Sequence, residues 1–244
     1  MTTELTAETF ERRLLALQSD DELRKHQRYF RFEIGNQPED NYFIGVRMGS
    51  IFELGREFSQ MPVAEIERLM ESPVHEIRAG AMSIMGQCAK GKKCDAARLK
   101  DLYDLYIRRH DRINDWDLVD LAAYYVVGTY LTDKPREILY KLASSSDKWE
   151  RRTAIVATAH FIMKLKQTED TFKIAEILVN DADDLVNKGT GWMLRAAGDV
   201  NRPALLNFLD HYAAIMPRVM LRYSIEKLDK PTREHYLDLR ATAG

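Results

Sequence analysis

The chain has 244 residues, of which 45% are hydrophobic and 30% charged, so it is long enough to bury a large core. Its 12 glycines and 7 prolines are too few for a β-sandwich or barrel that turns about every ten residues. The longest apolar run, 121–131, is too short to cross a bilayer, and the acidic N-terminus lacks the apolar segment of a signal peptide. The formal net charge of −2 argues, taken alone, against a surface that binds nucleic acid everywhere.

The two cysteines carry no metal or disulfide pattern. Cys88 and Cys94 lie six residues apart, without a CxxC motif or a histidine in partner spacing. We therefore expect a reduced, zinc-free protein of the cytoplasm.

Apolar residues recur at spacings of three and four almost throughout, as in Ile77, Ala81 and Ile84, and no segment alternates like a strand. Prolines 62, 73, 135, 203, 217 and 231 each stand just before such a stretch, where a first-turn proline gives up no needed N–H group. Short connections imply antiparallel neighbours. In chain order, we predict helices over 7–17, 20–30, 46–59, 62–70, 74–89, 95–108, 115–130, 135–144, 148–166, 169–180, 184–198, 202–213, 217–228 and 231–240.

Some of these helices resemble one another. Arg152 lies 74 residues after Arg78, Lys188 lies 36 after Arg152, and Arg222 lies 34 after Lys188. A period of 34–37 residues with two helices is typical of a HEAT-like α-solenoid. Two interpretations of this basic column stay open. Either the residues have no common task beside tight helix packing, or they point into one concave surface that suits an anionic polymer.

Charge is segregated along the chain. Residues 148–166 carry five basic and one acidic side chain, for a net charge of +4, whereas 169–184 carry six acidic and one basic, for −5. A chain of near-neutral total charge can thus present a basic face, with acidic helices forming an outer layer.

Four short motifs occur in order on this repeat: FIGVR (43–47), WDLVD (116–120), WERRTAI (149–155) and GWMLR (191–195). Together they resemble the DNA alkylation repair glycosylases of the AlkD type, and the resemblance runs from about residue 25 to 235. It implies one all-α domain over 1–244, a superhelix of HEAT-like repeats with a concave DNA-binding face. Residues 1–20, which precede the resemblance, are expected to form a peripheral N-terminal helix. It also implies a monomer without metal or organic cofactor.

The resemblance implies roles for individual residues. Asp120 matches the catalytic aspartate, Trp116 and Trp192 match the two tryptophans that face the damaged base, and Arg152 matches the arginine at the DNA backbone. Further DNA contacts are expected from Arg47 and Lys188, with Arg151 and Trp149 as weaker candidates. Arg151 could equally be a solvated surface charge, and Trp149 is better explained by packing between repeats than by contact with DNA.

The chemistry fits this pairing. Trp116 and Asp120 are four residues apart, so they share one helix face, although spacing alone favours a packing tryptophan with a solvated aspartate. An N3- or N7-alkylated purine is cationic and leaves without protonation, so one carboxylate can stabilise the sugar cation and position water. Asp115 stands where several relatives carry a further tryptophan.

We expect a monofunctional hydrolase of base excision repair that acts on alkylated double-stranded DNA in the bacterial cytosol or nucleoid. Two alternatives remain: a catalytically silent relative that binds DNA structures, and a HEAT-like scaffold that binds a protein.

Overall fold

The computed structural model describes residues 4–30, 32 and 37–241, and within these it contains fourteen α-helices and no β-strand. The chain divides into two compact units, Met1–Val126 and Val127–Gly244. The predicted all-α class is confirmed. In the described residues, no helix combines the length and apolar character that crossing a membrane requires.

The first unit holds seven helices. They are α1 (Ala7–Leu15), α2 (Asp20–Phe30), α3 (Met48–Glu57), α4 (Val63–Met70), α5 (His75–Lys90), α6 (Ala96–Arg108) and α7 (Trp116–Ala122).

The second unit holds seven more. They are α8 (Glu137–Ala143), α9 (Lys148–Ala157), α10 (Glu169–Ile177), α11 (Asp184–Val200), α12 (Arg202–Tyr212), α13 (Arg218–Ser224) and α14 (Lys230–Ala241). Each of the fourteen coincides with one predicted helix within a few residues at the ends, except that α7 and α9 end well before the predicted ends at 130 and 166. Two predicted helices change pitch, because π-helical turns form over Ala123–Gly128 after α7 and over Phe161–Leu165 after α9.

Local residues set the helix starts. Pro62 and Pro217 directly precede α4 and α13, and the side chains of Asp95 and Asp183 accept N–H hydrogen bonds at the starts of α6 and α11. The aspartates meet unpaired donors of a helix N-terminus in the expected way, whereas the prolines make no such bond and instead fix the backbone just before the first turn.

Helix α5 is the centre of the first unit, with all but three of its sixteen residues buried. It packs against α3, α4 and α7, and Gly86 lets the Leu121 backbone approach closely. The ring of Phe10 packs against Gly80 of the same helix. Helix α1, which we expected at the periphery, therefore buries Phe10 and Leu14 in this core.

Helix α11 is the centre of the second unit, where it packs against α9, α10, α12 and α13. Gly191 brings it against the backbone of Met220, and Gly198 makes room for Leu205. Successive helices thus pack in order around a buried helix, as in α-α repeats.

Candidate functional site

Helix α7 carries Trp116 and Asp120 one turn apart, and both side chains are only partly buried. The helix begins at Trp116 because Asp115 caps it, its Oδ1 accepting a hydrogen bond from the Trp116 N–H at 2.7 Å. Asp115 thus has a local structural task at the start of α7.

The indole of Trp116 belongs to an aromatic cluster in the first unit. It stacks on Phe30 with ring centroids 5.7 Å apart and an angle of 22°, and it meets the edge of Tyr29 at 5.5 Å. Tyr29 is 68% exposed. This tyrosine is a candidate site residue that sequence reasoning missed, because only the fold brings α2 next to α7.

The start of α7 is tied to the start of α5 by a buried pair. Nε2 of His75 lies 2.8 Å from Oδ2 of Asp117. Burial by itself would lower the pKa of His75, but the Asp117 carboxylate raises the pKa above its ordinary value. The pair therefore stabilises the position from which Trp116 and Asp120 project.

The same corner holds a possible metal-ligand set. His75, Asp115 and Asp117 each offer one ligand atom, and these atoms lie within 4.8 Å of one another. Both carboxylates already accept backbone N–H hydrogen bonds, from Trp116 and Leu118, at a helix end whose dipole disfavours a cation. We assign the set to helix capping.

The FIGVR motif forms a loop bound by Glu76 of α5. The Glu76 carboxylate accepts N–H hydrogen bonds from Ile44 at 3.1 Å and Gly45 at 2.8 Å, and Gly45 has a positive φ of 80° that suits glycine. Burial would raise the pKa of Glu76, but bonds from His26 and the backbone hold the pKa below its usual value. The loop leaves Arg47 exposed at the start of α3.

Arg152 lies in the second unit, on α9, and is only 5% exposed. Its Nη1 donates a hydrogen bond to the Leu185 carbonyl at the start of α11. A Cβ built on Gly189 would lie 3.1 Å from that nitrogen, so glycine provides the space for the guanidinium. Arg152 therefore joins α9 to α11.

Trp192 follows on α11 and is 37% exposed, so it is not the buried repeat tryptophan that spacing alone allows. Lys188 lies one turn earlier on the same helix and is half-buried. In the described residues, it has no hydrogen-bond or ion-pair partner, which leaves its charge available to a ligand.

Arg151 and Trp149 have protein partners. Nε of Arg151 lies 2.5 Å from Asp181, and Nζ of Lys148 lies 3.2 Å from Asp183 and 4.7 Å from the centroid of the half-buried Trp149 ring. Two cations of the basic segment are thus neutralised by the acidic one. DNA contacts by Arg151 and Trp149 stay predictions, and for Arg151 the bonds to Asp181 must open.

The basic column does not form one surface. Arg78 is 1% exposed and donates to the Ser72 carbonyl at 2.7 Å and to Asn114 at 3.1 Å. Burial lowers the pKa of Arg78 to about 10. The interpretation of the column as a shared ligand surface is therefore wrong for Arg78, whose hydrogen bonds join segments of the protein to one another. Arg222, by contrast, is exposed.

Both the sequence and the fold are similar to those of known proteins. The family model of the DNA alkylation repair enzymes matches residues 10–228 of the chain. The chain belongs to the DNA alkylation repair enzyme family. No curated protein matches the sequence. A similar solved structure is a predicted DNA alkylation repair enzyme from Enterococcus faecalis, with a TM-score of 0.65 at 15% identity, covering 87% of this chain and 97% of that one.

At this identity the likeness to the Enterococcus structure shows the fold alone, and it confirms the superhelical α-α repeat class. Membership of the DNA alkylation repair enzyme family supports a role in alkylation repair, with DNA as the partner. Asp120 and Trp116, both partly exposed and one turn apart on α7, are a carboxylate and an indole of the kinds that could serve hydrolysis next to a flat cation.

Proposed function

We propose that the protein is a DNA glycosylase of the AlkD type, which hydrolyses the N-glycosidic bond of N3- or N7-alkylated purines in duplex DNA. The observation that carries this proposal is on α7, where Asp120 and Trp116 are both partly exposed one turn apart. The enzyme acts as a monomer in the bacterial cytosol or nucleoid, without metal or cofactor, and begins base excision repair.

Asp120 is the proposed catalytic residue. The alkylated base is already cationic, so it departs without an acid, and the developing positive charge moves to the sugar. A carboxylate near C1′ stabilises that charge and accepts a proton from the attacking water. A second carboxylate, as in sugar hydrolases with neutral leaving groups, is not required.

Aromatic rings are proposed to bind the damaged nucleotide. Trp116 and Trp192 each present a partly exposed indole, and Tyr29 adds an exposed ring beside Trp116. A cationic purine gains about 0.5–2 kcal/mol from such a ring, and a neutral purine gains less. The rings thereby favour alkylated bases over normal ones.

Arg152 is proposed to act at the DNA backbone, with Arg47 and Lys188 as further phosphate contacts. Because Arg152 is nearly buried, a direct phosphate contact requires its guanidinium to turn away from the Leu185 carbonyl. If it stays there, Arg152 only holds α11 in position. The two roles differ in salt dependence, because a lost phosphate contact lowers the slope of log K against log salt by about one.

The decisive experiment measures release of 7-methylguanine and 3-methyladenine from methylated duplex DNA. Asp120→Asn is expected to lower the release rate by roughly 10²–10⁴-fold, the range for a lost general base, while DNA binding is retained. Asp101→Asn is the matched control, because Asp101 is an exposed aspartate on α6 of the same unit. It should release both bases like wild type.

Other results would point elsewhere. Equal release by wild type and Asp120→Asn would remove Asp120 from the reaction. DNA binding without any release by wild type would indicate the catalytically silent relative. Absence of DNA binding would indicate a protein-binding scaffold.

A further inference from the structure

Tyr223 on α13 is an aromatic residue that the proposed function does not use. Its exposed fraction is 37%, equal to that of Trp192 on α11. A single exposed ring is ordinary, but neighbouring exposed rings at one place indicate a binding surface. Tyr223 and Trp192 would form such a surface if the two residues lie next to each other.

The close approach of α13 to α11 at Gly191 brings Tyr223 next to Trp192. A Cβ built there would lie 2.6 Å from the Met220 carbonyl oxygen and 2.6 Å from the Cβ of Tyr223. Helices α11 and α13 are thus in backbone contact at the residue that immediately precedes Trp192. This contact between α11 and α13 is the seam, and the partly exposed Trp192 and Tyr223 both belong to it.

The two helices of the seam also carry two basic side chains without an ion-pair partner among the described residues. Lys188 lies one turn before Trp192, and Arg222 precedes Tyr223; in the described part of the chain neither has an ion-pair or hydrogen-bond partner. The nearby carboxylate of Glu226 is already bound by Arg195. This differs from α9, where Arg151 is paired with Asp181.

We infer that Tyr223 and Arg222 are DNA-positioning residues, which complete a platform with Trp192 and Lys188 for one strand of the DNA. The rings contact base or deoxyribose faces, and the two cations contact flanking phosphates. A nucleic-acid strand is the partner that combines regular negative charge with flat apolar surfaces, and aromatic rings among cations are how proteins bind it without sequence preference. The inference rests on the proposed function only in that its ligand is DNA.

The test is the dissociation constant of fluorescein-labelled duplexes, measured by anisotropy at several salt concentrations. One duplex carries a tetrahydrofuran abasic analogue and the other is undamaged. Tyr223→Ser is expected to bind the abasic duplex about five- to tenfold more weakly, the lower part of the range for one stacking ring, with an unchanged salt slope. Arg222→Ala should lower the slope of log K against log salt by about one.

Matched controls come from the same unit. Ile215 is 56% exposed and Lys173 is an exposed cation of α10, so Ile215→Ser and Lys173→Ala remove comparable groups elsewhere. Both variants should bind like wild type. Tyr223→Phe keeps the ring and should also bind like wild type.

The outcomes separate the two proposals. Wild-type affinity in Tyr223→Ser, or an equal loss in Tyr223→Phe, would overturn the platform. A duplex that contains 2-aminopurine offers a second readout, because contact with the tyrosine ring quenches its fluorescence, and Tyr223→Ser should quench less than wild type. If wild type binds DNA and Tyr223→Ser binds it more weakly as expected, but wild type releases no alkylpurine, the platform stands and the glycosylase proposal fails.

Discussion

The guanidinium of Arg152 lies against Gly189, so that a Cβ at position 189 would be 3.1 Å from Nη1. Gly189 and Gly191 each leave a space beside α11 that another group can occupy. Both groups are internal: Arg152 fills the space at Gly189, and α13 fills the space at Gly191. Alanine at position 189 should therefore have different consequences from alanine at position 191.

Gly189→Ala should disturb function more than stability. Alanine favours a helix by about 1 kcal/mol over glycine, and its methyl group would meet the end of a flexible side chain, which moves aside. We expect the free energy of unfolding in urea to change by less than about 1 kcal/mol. Affinity for an abasic duplex should fall, and it should not fall further in the double variant with Arg152→Ala. An additive loss would contradict the linkage between the two residues.

Gly191→Ala should lower stability, because the methyl group would meet the backbone carbonyl of Met220. Overpacking of this kind costs about 1–3 kcal/mol, which exceeds the gain in helix propensity. Gly49→Ala is the control, since the nearest atom to a Cβ there is Nε of Arg47 at 3.7 Å. That control should be stabilised by roughly 0.5–1 kcal/mol. Equal urea midpoints for Gly191→Ala and wild type would contradict close contact of α11 with α13.

His75→Gln should remove a pH-dependent part of the stability. Despite burial, the Asp117 carboxylate raises the pKa of His75 in the folded state. The stabilisation that this pair gives is fully present below the pKa of histidine in the unfolded chain, about 6.5. It is lost as the pH rises through the higher pKa of His75 in the folded state. The difference in unfolding free energy between wild type and variant should thus be largest near about pH 6 and shrink as pH rises. The exposed His211→Gln is the control, and a difference that stays constant with pH would contradict the pairing.

Glu76→Gln should show the opposite trend. The hydrogen bonds to its carboxylate hold the pKa of Glu76 below the model-compound value of 4.5. Its contribution to stability is therefore present above about pH 4.5 and is lost as pH falls through the lower, folded pKa. Urea unfolding at pH 7 should show a lower free energy for the variant, and the gap should close in acid. The exposed Glu53→Gln on α3 should leave stability unchanged at both pH values.

Helix positions followed from the sequence because their causes are local. The spacing of Ile77, Ala81 and Ile84 marked the buried side of α5, and Pro62 and Pro217 marked the starts of α4 and α13. The π-helical turns escaped prediction, because one extra residue per turn barely changes an apolar pattern read at spacings of three and four.

Residue roles followed less well. One interpretation of the basic column placed its members on a shared surface, yet Arg78 is buried against the Ser72 carbonyl and Arg222 is exposed. Tyr29 and Tyr223 lie outside the four motifs quoted above, so only contact with Trp116 and with α11 marks them as site candidates.

By itself the sequence determined an all-α repeat, the family and the residues on which catalysis is proposed, since periodicity and short motifs are carried by neighbours along the chain. Tertiary structure decided which charges remain available. The net charges of +4 and −5 along two segments indicated separate faces, but Arg151 pairs with Asp181 and Lys148 with Asp183. Opposite charges 30 or more residues apart attract through space, and only the packing of α9 beside α11 brings them together.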